Sequence, residues 1–143
     1  VTAEMLYVMQ RKQGENSLDT LRRLGFSKYI DAMLFFDFLI CNRDRHGKNI
    51  EFNLVGNQLN VVPLFDTGIS FVAPYGKNEE AICAFNAMRD VQANKFVGTQ
   101  SLQANLSLIQ NPVYVKPLTK ETRIRLFKGL SVCLPKYMRD KIW

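Results

Sequence analysis

The dominant pattern along this chain is an apolar run with almost no polar interruption. Between Tyr29 and Asn42, 11 of 14 residues are apolar, and they fall on every side of a 3.6-residue repeat. This predicts a helix over residues 28–41, capped by Ser27 and buried on all faces at the centre of its domain. Asp37 then sits in apolar company, where an isolated carboxylate is costly. It is expected to be hydrogen-bonded or paired, in a structural role. Upstream, Met5, Leu6, Val8 and Met9 suggest a short helix within residues 1–13, broken at Gly14. A second short helix over 17–24 is expected to start at Ser17 as N-cap, carry Leu18, Leu21 and Leu24 on one stripe, and stop at Gly25.

Beyond the polar stretch 42–49 (NRDRHGKN) the period changes. Ile50, Phe52 and Leu54 alternate with Glu51 and Asn53, a strand signal. Residues 55–58 read as a turn and 59–65 as a returning strand, so the two form a β-hairpin. An antiparallel hairpin starts and finishes at one end, so Asn49 at its entrance and Asp66 at its exit are expected to be neighbours. Residues 71–80, with Pro74 and Gly76, read as a loop. Helices are expected near 80–88, 90–96 and 101–109, with a break at Asn111-Pro112. After Pro117 comes an amphipathic helix whose stripe is Leu126, Phe127, Leu130, Cys133 and Leu134. Pro135 ends it and opens a last short helix. The fold class that emerges is mainly α with a small β-hairpin, in a single domain over residues 1–143, with no internal repeat or linker.

Composition narrows the compartment more than the activity. An apolar share of 47% and a charged share of 22% are ordinary for a soluble domain. The apolar run is too short and too acidic, with Asp31 and Asp37, to match the roughly 20 apolar residues that span a bilayer. No basic segment followed by an apolar one opens the chain, so no signal peptide is expected. Cys41, Cys83 and Cys133 are widely spaced and form no zinc-binding pattern. Unpaired thiols suit a reducing, cytoplasmic setting, with secretion left open. His46 is the sole histidine, which excludes sites needing two imidazoles. The net charge is +6, and residues 116–143 hold eight basic residues against two acidic ones. A basic tail can meet nucleic acid or an acidic partner, but no arginine-rich motif accompanies it, and a solvated helix face is the favoured reading.

The polar stretch holds the chemistry. Phosphoryl transfer asks of a protein a group to take or orient the nucleophile's proton, hard oxygen ligands for Mg²⁺, and positive charge for phosphates. Asp44, Asn49 and Asp66 supply the first two: Asp44 as catalytic base, Asn49 and Asp66 as metal ligands. His46 could donate to the transferring phosphate or assist proton transfer. Arg45 and Lys48 could support the loop or offset phosphate charge, and Gly47 would permit its tight turn. Gly68 after Asp66-Thr67 permits a sharp backbone change. Thr67, Ser70 and Tyr75 are hydroxyls near the site.

The segments DFLICNRDRHGKNIEF and NVVPLFDTGISF resemble the C-terminal kinase domain of HipA-like proteins. These are atypical bacterial serine/threonine kinases, and the nearest branch carries Asp-Arg-His in its catalytic loop and includes the CtkA-like proinflammatory kinases. The close match covers residues 33–71. The resemblance implies a protein-kinase-like C-lobe, Asp44 as catalytic residue, Asn49 and Asp66 as Mg²⁺ ligands, ATP as donor and a protein serine or threonine as acceptor. An antitoxin-like DNA-binding partner accompanies some members. The Asp-Arg-His-x-x-Asn pattern is also similar to the catalytic loop of phosphatidylinositol-3-kinase-like lipid kinases, where Asp-Phe-Gly usually stands in place of Asp66-Thr67-Gly68. One departure is large. Kinases need an N-terminal lobe with a phosphate-covering loop and a strand lysine, and the 43 residues before Asp44 read as helical. The chain is therefore expected to be a fragment, its N-lobe supplied by upstream sequence or by another chain, with little activity alone. Two other classes compete. A pseudokinase or binding module would use the same scaffold without turnover. A homodimeric aspartic protease would use Asp66-Thr67-Gly68, at the cost of requiring a strand-dominated fold.

Overall fold

A computed structural model describes residues 1–117, 119–126, 128 and 134–142. Among the described residues the chain is mainly helical with one two-stranded antiparallel hairpin. Helix α1 (Ala3–Gln10) opens at Thr2, whose hydroxyl accepts from the Met5 amide. Helix α2 (Ser17–Leu21) is capped by Asn16, one residue before the expected Ser17. The Asn16 carboxamide takes the Asp19 amide, while the Ser17 hydroxyl donates to the Phe96 carbonyl. A π-helical turn (Arg22–Phe26) follows, and Gly25 at φ 94° supplies the left-handed step that separates it from α3 (Ser27–Leu39). Ser27 is thus the first residue of α3, and its cap position is Phe26.

Helix α3 is central but not buried on every side. Ile30, Met33 and Leu34 are buried, whereas Lys28, Ala32, Phe36 and Leu39 form an exposed stripe. Phe36 is 39% and Leu39 46% exposed. The run is apolar all round, yet among the described residues the packing comes from one side. There α2 and α5 (Leu102–Leu106) meet it.

The hairpin joins β1 (Phe52–Val55) to β2 (Gln58–Val61), in the register Phe52 to Val61 through Val55 to Gln58. Gly56 at φ 61° makes the two-residue turn possible. The strands are shifted from the expected 50–54 and 59–65 because other partners claim the ends. Val1, Thr2 and Ala3 run antiparallel to Ile50–Phe52: Ala3 N donates to Ile50 O, Phe52 N to Val1 O and Val1 N to Phe52 O, each at 2.8 Å. Past Val62, Pro63 has no amide to continue the ladder. β1 is thereby flanked on both sides. Its inward residues, Ile50 before it and Phe52 within it, are fully buried, with the Phe52 ring 4.4 Å from that of Phe26.

A second apolar cluster forms around Cys41, Val72, Ile82, Phe85 and Leu102. Ile82 belongs to α4 (Glu79–Ala84), capped by Asn78. The helix expected at 90–96 does not form. Its backbone is taken by distant partners: Ala93 N donates to Gln100 O, Leu102 N to Val91 O and Asn94 N to Arg43 O. The Asn94 side chain also accepts from Phe96 N, a local bond that competes with helix. Helices α6 (Lys120–Leu126) and α7 (Lys136–Ile142) follow, the latter after Pro135 as expected. The stripe residues Phe127, Leu130 and Cys133 lie outside the described residues. Among the described residues, no helix is long and apolar enough to cross a membrane.

The chain after α5 is tied back by one buried carboxylate. Asp31 is fully buried on α3 and pairs with Arg22 at 2.7 Å. It also accepts from Gln110 N (3.1 Å), Asn111 N (2.8 Å) and the Asn111 side chain (2.7 Å). Burial by itself pushes its pKa up, but the bonds from Asn111, Gln110 and Arg22 outweigh that and hold it below the usual carboxylate range. A depressed folded pKa contributes stability that is present above the unfolded value, near 3.9, and lost as pH falls through the folded one. Urea unfolding should therefore show Asp31→Asn less stable than the parent by about 1–3 kcal/mol at pH 7. The gap should narrow as pH drops below about 4. A gap that stays constant from pH 7 to pH 3 would contradict the assignment.

Candidate functional site

The polar stretch after α3 is organised by an ion pair. Asp37 and Arg45 are 3% and 5% exposed. The guanidinium grips the carboxylate with two nitrogens, Nε to Oδ2 at 2.9 Å and Nη2 to Oδ1 at 2.8 Å. Asn42 closes the remaining side, donating from Nδ2 to Asp37 Oδ1 at 2.8 Å and from its amide to Asp37 O at 2.8 Å. The free edge of the guanidinium then reaches two backbone carbonyls, Asn49 O at 3.2 Å and Phe65 O at 2.7 Å. One side chain thus joins the last turns of α3, the end of the loop, and the residue before Asp66. Two more bonds hold the returning chain along the same path, Arg43 N to Ile69 O and Phe71 N to Ile40 O.

Asp44, His46 and Asn49 are in direct contact. The Asp44 carbonyl accepts from His46 N (2.8 Å) and from Asn49 Nδ2 (3.0 Å). Asn49 ends a 3₁₀ turn (Gly47–Asn49) and is buried. Because its Nδ2 is spent on Asp44, its Oδ1 is the atom left to act as a ligand. His46 Nε2 lies 3.9 Å from Asp44 Oδ2, with both side chains a little over one-third exposed. The His46 Nδ1 is buried without a partner among the described residues. Asp66 is exposed, and none of the described hydrogen bonds engages its carboxylate. Its φ of 53° is a left-handed conformation that aspartate tolerates better than most residues. Cys41 (φ 52°) and Phe71 (φ 49°) share that conformation at either side of the site, where neither side chain favours it.

The other expected residues fall in different places. Lys48, Thr67 and Gly68 are exposed. Ser70 is buried, and its hydroxyl has no partner among the described residues. Gly47 serves a purpose other than a tight turn. Its φ is not left-handed, but a Cβ there would lie 2.6 Å from the Phe96 ring and 2.8 Å from Glu4 Cβ. Glycine lets α1 and Phe96 press onto the loop. Arg43 and Tyr75 form a pairing that the sequence reading did not single out. The Arg43 guanidinium lies over the rings of Tyr75 (5.0 Å) and Phe85 (5.8 Å) and donates to the Tyr75 hydroxyl at 3.0 Å. Its only sequence signal is a basic residue next to Asp44.

Chemically, the arrangement offers hard oxygens and a half-exposed carboxylate beside an imidazole. Asn49 Oδ1 and the Asp66 carboxylate suit a hard divalent cation that keeps several waters or phosphate oxygens. Among the described residues, no group of three or more His, Cys, Asp or Glu side chains gathers as a metal site. A cation here would therefore depend on the amide oxygen and on its own further ligands.

Removing one partner of a buried pair leaves an uncompensated charge, so Arg45→Ala should destabilise the chain by about 3–5 kcal/mol. Replacing both, Asp37→Leu with Arg45→Met, should cost less than the single change, measured by urea denaturation. A double variant as unstable as Arg45→Ala would show that the carbonyl bonds, not the buried charge, dominate. No protein-family model, curated protein or solved structure matches the chain.

Proposed function

We propose that this chain supplies the metal-binding and proton-accepting half of an ATP- and Mg²⁺-dependent serine/threonine protein kinase of the HipA-like kind. The observation that carries the reading is the Arg45 guanidinium, which bonds Asn49 O and Phe65 O at once. A brace of this kind draws the loop bearing Asp44 and Asn49 toward the segment bearing Asp66. The resemblance of residues 33–71 supports the same assignment, as does the clustering of left-handed residues around the loop.

In this reading the acceptor is a protein hydroxyl. Its proton passes to Asp44, its oxygen bonds to the γ-phosphorus of ATP, and the bond from that phosphorus to the β,γ-bridging oxygen breaks to leave ADP. Asn49 and Asp66 would hold the cation, which would supply positive charge to offset the phosphates. His46, within reach of Asp44, orients that carboxylate or donates to the moving phosphoryl group. Arg45 is a positioning residue, engaged on Asp37 and on carbonyls. The clamp for the nucleotide falls to sequence outside these 143 residues or to another chain. The setting on this reading is the cytoplasm, consistent with the unpaired thiols of Cys41 and Cys83.

Calorimetric titration with Mg-ATP tests the metal assignment. Binding should be weak, should require Mg²⁺, and should be lost in Asp66→Asn. Equal binding by parent and variant would sink it. Once the nucleotide-clamping half is restored, Asp44→Asn should lower phosphoryl transfer by about 10²–10⁴-fold. The 143-residue chain alone should turn over little. Robust turnover by it would overturn the division of labour.

A further inference from the structure

Next to the loop lies an open cleft of about 290 Å³ whose walls include Arg43, Tyr75, Phe85, Asn86, Arg89 and Asp90. We propose that this cleft seats an acidic group, carboxylate or phosphate, on the protein segment whose hydroxyl is presented to Asp44. The inference rests on the phosphotransfer reading for the role of the cleft, but not for its ligand.

The charge of the cleft is uneven. Arg43 and Arg89 both line it, and neither belongs to an ion pair among the described residues. Among the described residues the one acid in its walls is Asp90, which accepts from the Gln103 amide at 3.0 Å and stays ionised, so the walls carry two positive charges against one negative.

Arg43 is also pre-organised. The Tyr75 and Phe85 rings lie under its guanidinium, and the Tyr75 hydroxyl fixes one Nη. A guanidinium held this way loses little freedom on meeting an anion, and its planar fork matches carboxylate or phosphate oxygens. Its backbone is pinned on both sides, N to Ile69 O and O from Asn94 N. Arg43 immediately precedes Asp44, so their Cα atoms are about 3.8 Å apart. An extended peptide advances roughly 3.3–3.6 Å per residue. An acidic residue within a few positions of the acceptor hydroxyl can therefore reach the cleft while the hydroxyl meets Asp44. The specificity that results is for serine or threonine in acidic surroundings.

The test is fluorescence anisotropy at low salt, without Mg²⁺ or nucleotide, so that its failure and that of the metal assignment are separate. The probe is a fluorescein-labelled peptide, Ala-Asp-Asp-Ser-Asp-Asp-Ala, beside a control with asparagine for each aspartate. The acidic peptide should bind about five-fold more tightly than the control, the scale of one charge-assisted pair in a partly open site. Arg89→Glu, at an exposed position, should remove the preference. Arg43→Lys should weaken it, because lysine keeps the charge and loses the fork. If Arg43→Lys fails to fold, Arg89→Glu decides alone. Lys120→Glu on α6 should leave it intact. The proposal falls if the two peptides bind alike, if the preference survives Arg89→Glu, or if Lys120→Glu abolishes it, which would mean general attraction to the basic C-terminal segment. Displacement by inorganic phosphate at concentrations similar to the peptide's would reassign the cleft to free anions and end its role toward the acceptor.

Discussion

Everything near the candidate site depends on one buried guanidinium. Arg45 is drawn out of water by Asp37, and the desolvation of both charges is offset only because every side of the pair is bonded. That requirement gives the pair its reach. A guanidinium has five donors, and those not used on Asp37 must find acceptors nearby. They find carbonyls on two segments that are 16 residues apart in sequence. The helix, the loop and the return of the hairpin are therefore not three separate placements. They are one, and a change at Asp37 would be felt at Asp66 without any contact between the two side chains.

Around this pair the packing is directional. The loop is pressed by α1 and Phe96 from one side, through a position where only glycine fits, and crossed by the Ile69–Phe71 backbone on another. Asp44, His46 and Asp66 are left partly or fully exposed above the buried Asp37, Asn42, Arg45 and Asn49. This is a useful contrast of environments: rigid carbonyl geometry below, solvated carboxylates above. The left-handed residues Cys41, Asp66 and Phe71 mark the points at which the backbone leaves regular structure to make that arrangement.

Much of this was legible in the sequence, for identifiable reasons. The apolar run fixed the identity of α3 because length and composition agree. The alternation Ile50-Glu51-Phe52 marked a buried strand face, and an acid in apolar company had to be paired. What was not legible depends on partners distant in the chain. The strand limits moved because Val1–Ala3 and Pro63 decide where the ladder runs. Residues 90–96 have a helical composition but give their amides to Gln100 and Arg43. The apolar outer stripe of α3 cannot be told from a buried one by pattern, since periodicity reports what a residue prefers and not what is available to cover it. Within the site, Asp44, His46 and Asn49 share one short loop and could be read together. Arg43 could not, because its significance arises from Tyr75 and Phe85, more than 30 residues away.

The pairing of Val1–Ala3 with Ile50–Phe52 bears on how the molecule is made. A contact that spans about 50 residues carries a large loop-closure entropy, and such contacts slow folding. The first helix cannot find its seat when it emerges during synthesis, because the strand that receives it has not yet been translated. Until then only α2, with Leu18 and Leu21, is at hand to cover its apolar side. The arrival of Ile50–Phe52 thus completes the seat of α1, and with it the loop at Gly47 that lies against α1.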